Sequence, residues 1–579
     1  MRALVWLTLV ALLVLVNVIA AVPSGEGLNP SDDGVILAQS HRLLSGEMPH
    51  RDFISIRPAG SALLHSLHLL LPFPMELSAR WFVLLQYFIY SLFFVLAMRQ
   101  RSESTESKSL LWVPFLTLLA FLYNQNHYNL FPWTTIDALF WLSAGIYLMQ
   151  GINRVSYTRH RLFLTTALMV FSFSMSVLSR QTFALPVMVL VFFWLSQVIK
   201  QGVFVRILAP AMVGSLPILV YAGVLTMGGA WGDFFQQMTG RTEVWETGFV
   251  AFWNHFWGAP VAYLLILAVL SFFSDQEGKR FHLIWHKMAP VLMTMLATWL
   301  VVLLAAVFIW PQYLFRISFE LFYLLVFLMV LFRLVGKGQN RELINAGWII
   351  LLVAWTSSVS LGDNAPVFCT GVLAAANVEG VRRLWLQYYP GVTVKPAILT
   401  WLMMPLAAVL IAASVYTQKQ NNYRDLPAHE LTGDAGDLFG ELRGIRLNEE
   451  LYAYFSEVRQ IWEDYGSPRQ GFVILPNNAI LYPVMKLENP LPLDWLQRDE
   501  FIGNEDRLLE EFEKVMREQN LVILLERYNV KWLATERLEY DESSPQYPWL
   551  PLLFHYAEEK PGDRVFFRVF ETAQKKSAR

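Results

Sequence analysis

The chain has one cysteine, Cys369, in 579 residues. One thiol makes no intrachain disulfide and no thiolate metal cluster. Charge is scarce as well, at 16% of residues, where a soluble domain usually carries about 25%. No internal repeat or long low-complexity stretch occurs. The polar tail from about residue 420 has no glycine-rich phosphate loop, nucleophile elbow or zinc signature.

What is present is apolar. The chain is 55% hydrophobic and 15% aromatic, with a mean hydropathy of +0.39. An ordinary soluble protein is excluded. Taking roughly 20 apolar residues per span, hydropathy predicts spans near 4–22, 79–98, 109–124, 133–150, 162–179, 182–199, 207–227, 259–274, 288–309, 317–335, 343–361, 366–381 and 397–416. That makes about thirteen by the window rule. The expected fold class is therefore mostly α: a polytopic membrane bundle over 1–419, with a small extracytoplasmic α/β domain over 420–579.

Orientation follows from the basic residues. Arg99, Arg101, Lys108, Arg154, Arg159, Arg161, Lys200, Arg206, Lys279, Arg280, Lys287, Arg333, Lys337, Arg341, Arg382, Arg383 and Lys395 fall in alternate loops. By the positive-inside rule those loops are cytoplasmic. The N-terminus is then inside, and residues 23–78 and the tail are outside. Residues 1–22 also read as a cleaved signal peptide, given Ala20-Ala21. The tail holds 29 acids against 19 Lys and Arg, so nucleic acid is not an expected partner. Its predicted elements are strands at Gly471–Pro476, Leu521–Leu525 and Val565–Phe570 and a helix at Asp506–Gln519.

The first outer loop, 23–78, is too long for a simple connection. Ser31 precedes a helical pattern over 32–45 that stops at Gly46. A second helix is predicted from Pro58 to just before Pro72. Its Leu63, Leu64, Leu67, Leu69, Leu70 and Leu71 suit the membrane surface. Asp32 and Asp33 are placed in the first turn of the first helix, where they either complement the helix dipole or do chemistry. Arg57 precedes the second helix. A guanidinium beside a helix start makes a phosphate site, and the alternative is a snorkelling anchor.

These residues resemble the first outer loop of GT-C superfamily glycosyltransferases. Asp32-Asp33, Leu43-Leu44-Ser45-Gly46-Glu47-Met48-Pro49, Arg51-Asp52-Phe53 and Arg57-Pro58 are similar to the branch of protein O-mannosyltransferases and lipid A aminoarabinose transferases. That branch commonly reads Asp-Glu, then Leu-x-x-Gly and a Tyr-Arg-Asp-like stretch, then Lys-Pro-Pro. Here Asp33 replaces Glu, His50 stands where Tyr is common, and Arg57-Pro58-Ala59 replaces Lys-Pro-Pro. Leu475-Pro476 followed by Leu481-Tyr482 is similar to the tails of GT-C-like proteins.

The resemblance implies a membrane enzyme that moves a sugar from a polyprenyl-phosphate donor to a glycan, lipid or protein acceptor on the outer face, with inversion. It implies Asp32 or Asp33 as the base, Asp32 matching by identity. Asp137, a few residues inside a predicted span, is where relatives carry a cavity-facing Asp. Arg180, in the tight turn Leu178-Ser179-Arg180-Gln181-Thr182, is where they carry a base. Arg57 and Arg180 would then hold the donor phosphate, with membrane lipid as the surrounding partner. Asp52, Arg51 and His127 are weaker substrate-binding candidates. Hard carboxylates can hold Mg²⁺ or Mn²⁺, so a divalent cation and the arginines are alternative sources of the same electrostatic work. Arg241, Glu243, Arg316, Glu320 and Asp363 are further charges expected on the outer side. Asn477, Asn478 and Trp495 read as a turn and a core residue before they read as glycan contacts. Rival classes are a transporter or flippase, against which stands the lack of an inverted repeat, and a GT-C-like protein that binds without catalysis.

Topology is the first testable expectation. Reporter fusions at residue 430 and within 151–161 should give opposite compartment signals. The same signal from both would overturn the orientation.

Overall fold

The computed structural model describes residues 23–100, 112–127, 130–152, 158–202, 204–240, 322–323, 326–327, 330, 341–359, 367–388, 396–420, 422–466, 471–496, 498–501, 503–529, 537–541 and 545–572. Predicted spans 4–22, 259–274 and 288–309 lie outside the described residues, as do Arg241, Glu243, Arg316, Glu320 and Asp363. The longer helices of the first part are α1 (Gly34–Leu44), α2 (Gly60–Leu70), α3 (Met75–Gln100), α4 (Trp112–His127), α5 (Thr134–Ile152), α6 (Arg159–Ser179) and α7 (Ala184–Lys200). They are followed by α8 (Phe204–Gly214), α9 (Leu216–Met227), α10 (Trp231–Thr239), α11 (Arg341–Ser358), α12 (Thr370–Tyr388) and α13 (Pro396–Gln420).

Among the described residues four helices are long and apolar enough to cross a membrane. The pair α8–α9, bent by 52°, makes a fifth if it is one span. The chain is an integral membrane protein on this ground. Helix α4 has 16 residues, which is short for a full crossing.

Without water inside a bilayer, helices associate by close packing and buried polar contacts rather than by the hydrophobic effect. Gly371 on α12 does this against α4. A Cβ there would sit 1.8 Å from the Ala120 carbonyl oxygen. The Gly371 amide also donates to Asn124 Oδ1 at 2.8 Å. Gly145 on α5 lies in the same way under the Phe173 ring of α6.

The tail forms a four-stranded sheet. In chain order its strands are β1 (Gly471–Leu475), β2 (Leu521–Glu526), β3 (Ala557–Glu559) and β4 (Phe567–Thr572). Their spatial order is β1-β2-β4-β3, with β1 parallel to β2 and the other pairs antiparallel. Strands buried on both faces read as continuous apolar runs, which is what Leu521–Leu525 is. One face packs on α14 (Glu449–Tyr465) through Phe455, Val458 and Ile461. The other packs on α15 (Glu505–Glu518) through Leu508, Phe512 and Met516.

Both tail cores extend into the first loop. Leu28, Leu37, Met75 and Ala79 join the first, and Ile54 joins the second. Gly34 makes this docking possible, because its missing Cβ would lie 2.1 Å from the Ile480 nitrogen. The Ile480 amide donates to the Pro30 carbonyl at 3.1 Å, and the Ile54 amide to the Pro492 carbonyl at 2.7 Å.

Two sequence expectations are corrected at this loop. Ser31 is not a helix cap: its hydroxyl donates to the Asn477 carbonyl. Asp32 and Asp33 lie in the turn before α1, with Asp33 at the cap position and no side-chain cap bond. Contacts with the tail outweigh local capping there. The stop at Gly46 holds, at a φ of 88°.

Gly34→Ala should force the Ile480 backbone away and lower stability by roughly 1–3 kcal/mol. Thermal unfolding in detergent would measure this. Gly223→Ala is the control, since a Cβ there meets nothing within 4 Å. Equal unfolding temperatures for the two variants would count against the close docking.

Candidate functional site

Site residues gather at the end of the bundle that carries the tail. Asp33 is consumed by structure. Its Oδ2 accepts from Arg80 Nη2 at 2.6 Å and from the Asn29 amide at 3.2 Å. Arg80 sits in the second turn of α3 and also binds Glu76 at 2.7 Å. Burial pushes the Asp33 carboxyl up to about 8, with Arg80 pulling it down and Glu76 pushing it up. Two buried acids sharing one guanidinium favour holding one proton between them.

Asp32 faces the other way. Its Oδ2 accepts from the Tyr423 hydroxyl and from Arg424 Nη1, both at 2.7 Å. Among the described residues nothing donates to its Oδ1. Tyr423 and Arg424 follow α13 directly, and Arg424 takes a left-handed φ of 51° to reach back. Its guanidinium also lies 4.7 Å from the Tyr423 ring centre.

An aromatic row leads from Asp32 to Arg57. The rings of Tyr423 and Phe131 are 5.4 Å apart, and those of Phe131 and Trp133 are 5.6 Å apart. The Arg57 guanidinium lies 4.8 Å from the centre of the Trp133 ring. Trp133 immediately precedes α5. Arg180 reaches the first turn of the same helix, donating to Thr135 Oγ1 at 2.6 Å and to Thr134 Oγ1 at 3.3 Å. It also donates to the Val359 carbonyl at 2.7 Å. Two loops therefore bring one guanidinium each to the start of α5. Gly60 permits this, since a Cβ on it would lie 2.5 Å from the backbone of Leu178. Gln181 ties the same loops together by donating to the Ile56 carbonyl at 2.8 Å.

Asp137 stands apart from this row. It is fully buried, and its Oδ1 accepts from Gln86 Nε2 at 2.7 Å and meets His65 Nε2 at 3.1 Å. The expected open, cavity-facing carboxylate is thus an enclosed one, because α2 and α3 cover it. Arg51 and Asp52 pair with each other at 2.8 Å. Arg507 binds the carbonyls of His50 and Arg51 from the tail side. This turn lies beside α10 through the Arg507–Asp233 pair at 3.1 Å and contributes nothing to the aromatic row. His127 ends α4, and its side chain lies outside the described residues.

Cation binding finds no ready cage here. Asp32 and Asp33 each face a guanidinium, and among the described residues no group of three His, Cys, Asp or Glu side chains has metal-holding geometry.

Arg80, Tyr423 and Arg424 went unnoticed in the sequence. Arg80 carried a signal, a lone charge at the start of an apolar run. Tyr423 and Arg424 carried none beyond following the last predicted span.

No protein-family model matches the chain, and no curated protein does. Among solved structures the chain is similar to ArnT from Cupriavidus metallidurans in the apo state, at 11% identity, 99% coverage of each chain and a TM-score of 0.48. It is also similar to ArnT from the same organism bound to undecaprenyl phosphate, at 12% identity, 98% coverage of each chain and a TM-score of 0.44.

Removing Arg80 should be severe. Arg80→Ala leaves two buried carboxyls without their cation, a loss of roughly 3–5 kcal/mol. Arg424→Ala, whose side chain is 20% exposed, should cost less. Denaturation of both variants measures the order, and the reverse order would refute the assignment of Asp33 to structure.

Proposed function

We propose that this chain is an integral membrane glycosyltransferase of the GT-C type, moving a sugar from a polyprenyl-phosphate donor to an acceptor on the extracytoplasmic face. The observation that carries the reading is the pair of guanidiniums, Arg57 and Arg180, at the start of α5. A helix start offers free amides and partial positive charge to an anion. Transfer breaks the bond between the anomeric carbon and the phosphate oxygen. The leaving phosphate goes from one negative charge to two, so fixed cations there stabilise the transition state more than the ground state.

Asp32 is the base in this reading. The acceptor hydroxyl gives its proton to the carboxylate as its oxygen attacks the anomeric carbon. One displacement inverts that carbon and releases polyprenyl phosphate. Tyr423 and Arg424 on Oδ2 leave Oδ1 for the acceptor proton. Asp33, tied to Arg80, holds the turn, and Asp137 supports the start of α5 from inside the bundle.

Undecaprenyl phosphate is the binding probe, being the ligand in the second ArnT structure. Arg57→Ala and Arg180→Ala should each weaken it by about tenfold to a hundredfold, as expected for losing a contact of roughly 1.5–3 kcal/mol. Asp32→Asn should bind it normally. Incubated with a panel of undecaprenyl-phosphate sugars, wild type should release undecaprenyl phosphate, and Asp32→Asn should do so about 10²–10⁴-fold more slowly. Unchanged binding in both arginine variants would leave them as anchors and remove the phosphate site.

A further inference from the structure

Behind the turn that carries Asp32 and Asp33 lies a buried carboxyl with no part in the proposed reaction. Glu526 ends β2 and is fully buried. Its Oε1 accepts from the Tyr454 hydroxyl at 2.5 Å, and that hydroxyl accepts from Asn478 Nδ2 at 2.5 Å. The Asn477 amide also donates to the carboxyl. Oε2 of Glu526 and Oδ1 of Asn478 are both buried without a hydrogen-bond partner. A buried carboxylate oxygen with no donor favours the protonated acid.

Among the described residues, the groups around Glu526 supply no counter-charge. Tyr454 comes from α14, Tyr482 from beyond β1, and Tyr540 binds the Glu526 carbonyl at 2.6 Å. Tyr482 is occupied by the Ile474 amide. The charges nearby are engaged elsewhere. Arg527 donates to the Phe567 carbonyl at 3.1 Å, Arg568 pairs with Glu559 at 2.7 Å, and Glu457 accepts from the Phe566 and Phe567 amides. A carboxylate without a cation in such a place takes a proton instead. Burial accordingly pushes Glu526 up to about 8, against the hydrogen bonds from Tyr454 and Asn477.

The loop that Glu526 supports is the seat of the acid turn. Asn477 accepts the Ser31 hydroxyl, Ile480 donates to Pro30, and Gly34 lies against Ile480. We propose that Glu526 is a buried proton latch: neutral, it holds the Asn477–Ile480 loop and so the turn bearing Asp32; ionised, it loosens both. The latch itself does not depend on the sugar-transfer reading; only its consequence for turnover does.

The sign follows from linkage. The closed form binds a proton that the opened, hydrated form gives up. Stability of the closed form is full below the ordinary glutamate pKa and is lost as pH rises toward 8, levelling off above it.

Hydrogen exchange on the full-length protein in detergent tests this, with rates corrected for intrinsic pH dependence. The amides of Asp32, Asp33, Gly34 and Ile480 should lose protection in wild type by about tenfold or more between pH 6 and pH 8. Glu526→Gln keeps the shape and cannot ionise, so its loss should be at least tenfold smaller. Asp33 also titrates in this range, and the difference between the two proteins separates the groups. If Glu526→Gln does not fold, Tyr454→Phe serves: it removes a donor to the ionised form and should move the loss to higher pH. Equal losses in wild type and Glu526→Gln, no loss in wild type, or an unmoved loss in Tyr454→Phe would each overturn the latch. Binding of undecaprenyl phosphate at pH 6 is the separate check on the phosphate site.

Discussion

One buried guanidinium organises this end of the molecule. Arg80 gathers the carbonyls of Ser24, Glu26 and Gly27 together with the carboxyls of Asp33 and Glu76. Burying an arginine is costly unless its donors are met, and here an arriving loop meets them. The incoming segment is thereby fixed on α3 before α1 begins. Asp33 is spent on this, while Asp32, its neighbour in a tight turn, points to the opposite side. Two adjacent acids thus have separate fates, set by which side of the turn each occupies.

The tail completes what Arg80 begins. Gly27 donates to the Arg446 carbonyl, and Arg42 of α1 grips Asp494 through Nε at 2.9 Å and Glu47 through Nη1 at 2.6 Å. Its acidic composition describes the surface of the tail. Its inner faces are as apolar as a soluble core and take Leu28, Leu37 and Ile54 from the loop. Loop and tail therefore stabilise each other.

Periodicity and hydropathy carried most of the fold. Predicted spans at 79–98, 133–150, 162–179, 182–199 and 397–416 fall on α3, α5, α6, α7 and α13, and the bend at Ser215 breaks the one at 207–227. The four elements predicted in the tail fall on β1, β2, β4 and α15, while α14, β3 and the short helices Leu481–Met485, Arg498–Phe501 and Leu550–Tyr556 were not anticipated. The caps misled, because Ser31 and Pro58 satisfy helix-start rules while long-range contacts decide the local geometry, with the tail at Ser31 and with the end of α6 at the start of α2. Less of the candidate site could be read. Arg57 and Arg180 stand together at the start of α5, but Asp137 is closed off by α2 and α3, whose approach no local pattern encodes. The partners of Asp32 come from 391 and 392 residues later in the sequence, where a long-range contact leaves no trace in spacing.

Glycine placement links these levels. Gly34 lets the turn bearing Asp32 lie on the tail, and Gly60 lets the start of α2 lie on the end of α6. The first contact sets where a base would stand, and the second brings Arg57 and Arg180 to one helix start. Between them runs the row of Tyr423, Phe131 and Trp133, whose tilted and edge-on rings give a rigid spacer at low entropic cost. A carboxyl and two guanidiniums held at fixed separation on packed backbone are pre-organised. The side chains alone, on longer or looser loops, would have to be ordered at the moment of reaction.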